Sequence, residues 1–540
     1  MPHFFITTAI DYTNAAPHIG HAYEKVLADV LARYHRLKGD DVFFLTGVDQ
    51  HGQKVQQSAE KQGIAPQEFV DGVTQKFVAL WDKLDVRYDA WAATTEAKHK
   101  DCVRANLQML WDDKVPGTDR SRWLYKKTQR GFYSVRQEQF LTDKERNDAG
   151  EFGPEWQPVE EREEENFYFR LTAHPDLGFD PKQWLLDLLD RRSAGGRPFV
   201  VPDFRVAELR NAVEKLDGDL CISRPASRLK WGIPFPESFG AGFVTYVWFD
   251  ALVNYITYVP GHDPQFRERA AAEATPGSFA DWWPPLHVIG KDIMIPAHGV
   301  YWPIMLKALG FSDDEMPTLL VHGWWNIAGA KMSKSVGNVV DPNLLAEKYG
   351  AEALRYYLMS DIATGKDADF SEERLVLRYN TDLANNLGNL VNRTLNMAQK
   401  YRGGRLSQHP NEGLQSRAGY CVSANAACFD WFSVDGALNQ AELLATEANQ
   451  FVEQKAPWKL AKDPAQAEQL DAVLYHLAES LRIIAILISP VLPKAAAGIF
   501  AQLNWTGPMT LAEADWGKLP DGHILGQPTP LFPRIEAPKE

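Results

Sequence analysis

The first fifty residues restrict the fold more tightly than any other stretch of the chain. Phe4 to Ile10 is a short apolar run, and a Pro/Gly-containing loop follows. From about His18 to Lys38 the residues Ile19, Ala22, Val26, Leu27, Val30, Leu31, Tyr34 and Leu37 recur at the three-and-four spacing that puts one apolar face on a helix. Gly39 closes that helix. Asp41 to Gly47 then reads as a second buried strand. Two strands joined through a helix lie parallel with a right-handed crossover. A further helix, with Phe69, Val70, Val73, Phe77, Leu80 and Leu84 apolar, continues the pattern. Residues 1–113 are therefore the first half of a doubly wound α/β domain.

From about Lys114 to Pro225 the texture changes to short aromatic runs, a charged block at Glu160 to Glu165 and a predicted helix around Trp184 to Leu189. Residues 114–225 read as a connective insertion. The α/β alternation resumes with Phe243 to Phe249, then a strand Leu286 to Ile289, a helix around Pro296 to Leu309 and a strand Thr318 to Val321, so residues 226–325 form the second half. Residues 326–370 make a basic loop and a connecting region, in which Asp341-Pro342 starts a helix that Gly350 ends. After Ser371, Leu375, Tyr379, Leu383, Leu387, Leu390 and Val391 begin amphipathic helices that run to about Leu503. Residues 371–505 form a helix bundle and 506–540 an irregular or frayed tail.

With 540 residues, 45% hydrophobic and 24% charged, the chain has the balance of a soluble globular protein. Its most apolar stretch, Ile483 to Leu492, is too short to span a membrane, and no secretory signal precedes the first strand. A cytoplasmic protein is expected. Cys102, Cys221, Cys421 and Cys428 form no C-x-x-C pair and read as reduced thiols. The net charge of −14 argues against indiscriminate polyanion binding, although a basic face on an acidic protein still binds nucleic acid.

Two motifs carry chemistry. His18-Ile19-Gly20-His21 stands where the first strand hands over to the first helix, at the edge of the sheet where open α/β folds bind ligands. The helix N-terminus favours anions, the two histidines share one face, and Gly20 permits close approach, which suits phosphate and an adenine ring. On its own the pair serves equally as metal ligands or as solvated cap residues. Lys331-Met332-Ser333-Lys334-Ser335 is a glycine-flanked loop whose lysines can close over a triphosphate.

Together, in this order on a split α/β domain, the motifs resemble the signatures of class I aminoacyl-tRNA synthetases. Six further blocks are similar to the methionyl branch: Ala9 to Asn14, Thr46 to Gly52, Ile222 to Arg224, Tyr246 to Tyr255, Ile289 to Ile293 leading to His298 and Trp302, and Asn389 to Arg393. The resemblance implies a Rossmann-like parallel sheet split by the insertion, followed by an α-helical anticodon-binding domain. It implies ATP with Mg²⁺ as substrate complex, bound by His18, Gly20, His21, Lys331, Ser333, Lys334 and Ser335, with His18, His21, Lys331 and Lys334 catalytic. A methionine pocket is implied from Ala9, Ile10, Tyr12, Trp248, Ala251, Leu252, Tyr255, Ile293 and His298, with Asp49 holding the α-ammonium and Arg224 bracing Asp49. Aromatic and aliphatic walls suit a thioether. Between Asp292 and His298 stands one residue more than the family pattern has.

The partners implied are L-methionine, ATP and tRNA(Met), initiator included. The anticodon is expected to be read by Asn389, Arg393 and Trp458, the first two on one helical face and the third offering a stacking surface. Many relatives bind structural zinc through cysteine knuckles in the insertion. This one has no cysteine between Cys102 and Cys221, so no zinc is expected. A monomer is expected, because the chain stops soon after the helix bundle.

Overall fold

The computed structural model describes residues 1–134, 139–141, 143–147, 149–262, 277–327, 329–331, 339–409 and 413–536. A seven-stranded sheet organises the N-terminal part. Five of its strands lie in the order Asp41–Asp49, His3–Thr8, Leu286–Gly290, Thr318–His322, Val200–Val201, while Asp11–Tyr12 and Ala90–Ala93 both pair with Asp41–Asp49. Every one of these pairings is parallel. Ile6 sits opposite Phe44 on one side and Leu286 on the other. The chain leaves the first strand's two flanks in opposite directions, which opens a crevice at its carboxyl end.

The helix Ile19–Lys38 begins and ends where the sequence places it, with His18 as N-cap and Gly39 (φ 97°) as a left-handed C-cap. It differs in being buried on nearly every side. Lys25 and Asp29 are wholly buried, and Tyr34 stacks on Phe429 of the C-terminal bundle with ring centroids 4.0 Å apart. Periodicity reports the apolar stripe alone; Lys25 is covered by Ala9, Asp11 and Glu24, and Asp29 by Arg355.

Residues 114–225 do not form one separate unit. An antiparallel sheet in the order Gln139–Leu141, Leu124–Ser134, Val159–Phe169, Leu220–Cys221 makes its body. Val200–Val201, however, pairs with Leu319 and Leu320 in the main sheet, and the helix Phe204–Glu214 follows it. A two-residue strand has no period to read. Phe243–Thr245 likewise stays outside the main sheet, pairing with Ser223–Pro225, and Val247–Thr257 is a helix.

The extra residue before His298 is absorbed by a wide turn, Met294–Tyr301, with non-helical geometry at Ile295. Asp341 caps the helix Pro342–Tyr349 by accepting from the Asn343 N–H at 2.8 Å. The C-terminal helices pack around Ala467–Ile488, which is buried along most of its length. The tail is irregular but docked as far as it is described. Glu479 accepts from the N–H groups of Gly517 and Lys518, and the Asn380 amide pairs with both backbone groups of Ile535. Among the described residues no helix is long and apolar enough to cross a membrane. The four cysteines are unpaired, with Cys102 and Cys421 buried and the other two half-buried.

Candidate active site

A cavity of about 540 Å³ opens at the carboxyl end of the first strand. His18 has extended backbone (φ −132°, ψ 175°), so its ring folds back and its Nδ1 accepts from the Gly20 N–H at 3.1 Å. His21 Nδ1 accepts from the His18 N–H, also at 3.1 Å. This is a capping box built from two imidazoles rather than from hydroxyl and carboxylate. Because both Nδ1 atoms accept, a neutral ring carries its proton on Nε2, the form that donates to a phosphate oxygen. The rings stand 3.9 Å apart. A Cβ at position 20 would meet His18 Cε1 at 2.9 Å, so the His18 ring itself requires Gly20.

Asp49 ends its strand beside Tyr12 in the paired register and is 6% exposed. Burial, and then the nearby Asp250 carboxylate, push its carboxyl well above the usual range, against weaker help from the His51 N–H and Thr94. Among the described residues no cation pairs with it. Burial alone would raise Asp250 too, but His51 (2.7 Å) and His99 (2.8 Å) hold both its oxygens and draw it down to about 2.

On the apolar side, His298 donates from Nδ1 to the Ile293 carbonyl at 3.0 Å, leaving Nε2 to accept from the Tyr255 hydroxyl at 2.8 Å. Burial lowers His298 to about 4 and raises Tyr255 well above its ordinary value. Both stay neutral, as the wall of a pocket for an uncharged chain end should. Beneath them His287 accepts from Trp302 Nε1 at 3.1 Å and contacts Thr7 at 2.6 Å.

Under the first helix's N-terminus, wholly buried Lys25 donates to the Ala9 carbonyl (2.8 Å), Asp11 (2.7 Å) and Glu24 (2.7 Å). Glu24 also meets His322 at 3.1 Å. Burial, and then the neighbouring Glu24 carboxylate, raise the Asp11 carboxyl to about 7 against the opposing pull of Lys25.

A sequence profile described as tRNA synthetases class I (M) covers residues 4–149 and 156–395, and a second, the anticodon binding domain of methionyl tRNA ligase, covers 408–540. The methionine–tRNA ligase of Bacillus subtilis is 39% identical over 99% of this chain and 78% of its own length. That of Thermosynechococcus vestitus is 36% identical over 99% of this chain and 98% of its own. The chain belongs to the methionyl-tRNA synthetase family. A Mycobacterium tuberculosis methionyl-tRNA synthetase solved with methionyl-adenylate superposes with a TM-score of 0.86, at 34% identity over 99% of this chain and 100% of that one.

The cavity brings together Ala9, Ile10, Tyr12, His18, Gly20, His21, Asp49, Trp248, Ala251, Leu252, Tyr255, Ile293 and His298. Arg224 does not join them as a brace of Asp49. Its guanidinium lies 3.9 Å from the centroid of the Tyr246 ring and donates to Cys221 and the Ser223 carbonyl, so it supports the cavity from behind Tyr246. Strand geometry explains this: Arg224 pairs with Val244 outside the main sheet that carries Asp49. Of the basic loop, Lys331 ends a short strand whose partner is Asn326, and Ser333, Lys334 and Ser335 lie outside the described residues.

Sequence reasoning missed the Asp250–His51–His99 cluster and the Lys25 network. Their members are scattered, and burial of polar groups leaves no period. In the bundle, Asn389 is exposed, Arg393 pairs with Glu453 at 2.7 Å, and its guanidinium lies 5.9 Å from the centroid of the half-buried Trp458. Asn389 and Arg393 line one groove of about 530 Å³.

Proposed function

We infer that the chain activates L-methionine with MgATP to methionyl-adenylate and transfers the methionyl group to the terminal adenosine of tRNA(Met), initiator and elongator. The observation that carries this reading is one cavity holding a buried aspartate that pairs with no cation among the described residues, a neutral thioether-sized wall and two Nε2 donors at a helix N-terminus.

Methionine enters with its ammonium on Asp49 and its thioether among Ile10, Tyr12, Trp248, Leu252, Tyr255 and His298. Its ionised carboxylate attacks the α-phosphate in line, the bond to the bridging oxygen breaks, and magnesium pyrophosphate leaves. No general base is needed, so catalysis is positioning and charge stabilisation. His18 and His21 donate to phosphoryl oxygens, and Lys331 and Lys334 neutralise the triphosphate from the loop that also carries Ser333 and Ser335. In the second step the terminal ribose hydroxyl, the 2′ position by family resemblance, attacks the mixed anhydride and AMP departs. Asn389, Arg393 and Trp458 read the CAU anticodon.

The test is pyrophosphate exchange on purified protein with a panel of amino acids. Exchange that depends on methionine above all others supports the reading, and preference for another amino acid overturns it.

A further inference from the structure

Two different stretches of chain serve the two substrates. His18 and His21 stand at the N-terminus of the helix Ile19–Lys38, whereas Ala9, Ile10 and Tyr12 belong to the segment that leaves the first strand. The sheet holds the ends of that segment. The Ala9 N–H donates to the Val288 carbonyl at 3.2 Å, and the Thr13 N–H donates to the Asp49 carbonyl at 2.9 Å. Lys25 holds the stretch between them. Four residues beyond His21, and so on the same helical face, it sends its ammonium across to the Ala9 carbonyl (2.8 Å) and to Asp11 Oδ1 (2.7 Å).

Stability does not explain a lysine at this position. The side chain is wholly buried, and an apolar residue of similar volume would fill such a space without the desolvation cost of a charge. What the ammonium adds is geometry. Its three N–H donors meet three oxygens, those of Ala9, Asp11 and Glu24. Glu24 in turn meets His322 at 3.1 Å, at the end of the strand Thr318–His322. Glu24 already balances the positive charge, and the Asp11 carboxyl is raised to about 7, so Asp11 serves Lys25 as an oxygen more than as a charge. The second oxygen of Asp11 is buried without a hydrogen-bond partner among the described residues, which leaves Lys25 to fix this carboxyl.

We propose that Lys25 is a positioning residue for adenylate formation: by holding the segment 9–12 against the helix that carries His18 and His21, it sets the distance between the methionine carboxylate and the α-phosphate of ATP. The inference rests on the methionine-activation reading. In-line attack needs the reacting atoms about 3 to 3.5 Å apart and aligned, and a misplacement of about 1 Å costs on the order of 100-fold in rate. Lys25 lies outside the lining of the cavity. Its loss should therefore leave each substrate's own contacts in place and spoil their relation to each other. The signature is a loss of rate without a loss of affinity.

The experiment compares the full chain with its Lys25→Met, Asp11→Ala and Asp11→Asn variants. Single-turnover adenylate formation gives the rate, and calorimetric titration with methionine and, separately, with the unreactive α,β-methylene analogue of ATP gives the affinities. Lys25→Met should slow adenylate formation about 10- to 100-fold while both dissociation constants stay within about threefold. Asp11→Ala, which keeps the lysine on Ala9 and Glu24, should slow it about 5- to 30-fold. Asp11→Asn restores an accepting oxygen and should return the rate to within about threefold of the parent. A Lys25→Met rate within about twofold of the parent overturns the inference. So does a loss of methionine and ATP affinity as large as the loss of rate, since Lys25 would then support the cavity itself. If circular dichroism shows Lys25→Met to be unfolded, the Asp11 pair decides: an Asp11→Ala rate equal to the parent's, or an equal loss in Asp11→Asn, overturns the inference. A parent chain that forms no methionyl-adenylate overturns the proposed function instead.

Discussion

Asp49 is a buried carboxylate that waits for a charge. Its raised pKa has two causes, burial and Asp250, and a ligand ammonium counters both by pairing with the ionised form. The direction of the pH effect follows. Only the carboxylate holds the ammonium, and methionine keeps its ammonium throughout the acid range. As pH falls through the raised pKa of Asp49, the protonated acid accumulates and methionine binding is lost. The KM for methionine in pyrophosphate exchange is therefore expected to rise about tenfold per pH unit below that point, beginning well above the pH at which an ordinary aspartate titrates. Asp49→Asn should raise KM by roughly 10- to 150-fold at neutral pH, the worth of a hydrogen bond to a charged group. It should also remove the acid limb, and an acid limb that survives in the variant would assign the titration elsewhere. The sequence reveals Asp49 through its block of neighbours, but not the cause of its readiness. Asp250 lies far along the chain, and only folding brings the His51 and His99 rings onto it.

At the scale of elements, legibility follows period and length. The helix Ile19–Lys38 is readable to within a residue because twenty positions repeat one pattern between a cap and a glycine. Val200–Val201 and Phe243–Thr245 are too short to declare which sheet they join. Pairing partners far apart in sequence decide that. The insertion makes a related point about metal. Its long hairpin runs in unbroken antiparallel register from Leu124 opposite Phe169 to Ser134 opposite Val159. Arg162 and Arg228 flank Tyr133 at 4.7 Å, and Tyr125 and Tyr168 stack with centroids 5.7 Å apart. Strand pairing and aromatic packing give this element stabilisation of the kind that a cysteine knuckle supplies through bound zinc. The purified protein is expected to contain no stoichiometric zinc by elemental analysis, and its exchange activity should withstand a zinc chelator. One tightly held zinc per chain, with activity lost on its removal, would refute this.

Across the whole molecule, one buried arginine ties the catalytic sheet to the helix bundle. Arg355, in the helix Ala351–Ser360, is wholly buried and spends its guanidinium on four neighbours. It donates to Asp29 of the first helix at 2.7 Å and to the Leu84 carbonyl at 3.1 Å. It also donates to the carbonyls of Pro490 (3.0 Å) and Val491 (2.8 Å) in the turn after the central bundle helix. Asp29 is equally buried and keeps Arg33 and the Arg87 N–H as other partners. Removing the arginine leaves three carbonyls and part of a carboxylate without donors, so Arg355→Ala should cost about 3 to 5 kcal/mol of stability, seen as a lowered Tm. Arg355→Lys should recover little, since one ammonium cannot span the planar fork of contacts. The same residue bears on function because the first helix carries His18 and His21 at its other end, while the bundle carries the groove proposed to read the anticodon. If the tie fixes the distance between them, a temperature at which Arg355→Lys remains folded should show tRNA charging reduced about tenfold or more, while pyrophosphate exchange, which needs the cavity and the basic loop but not the anticodon groove, stays within about twofold. Equal losses in both assays would mean that Arg355 supports only the packing beneath the first helix, and that the spacing between the two sites is set by other contacts.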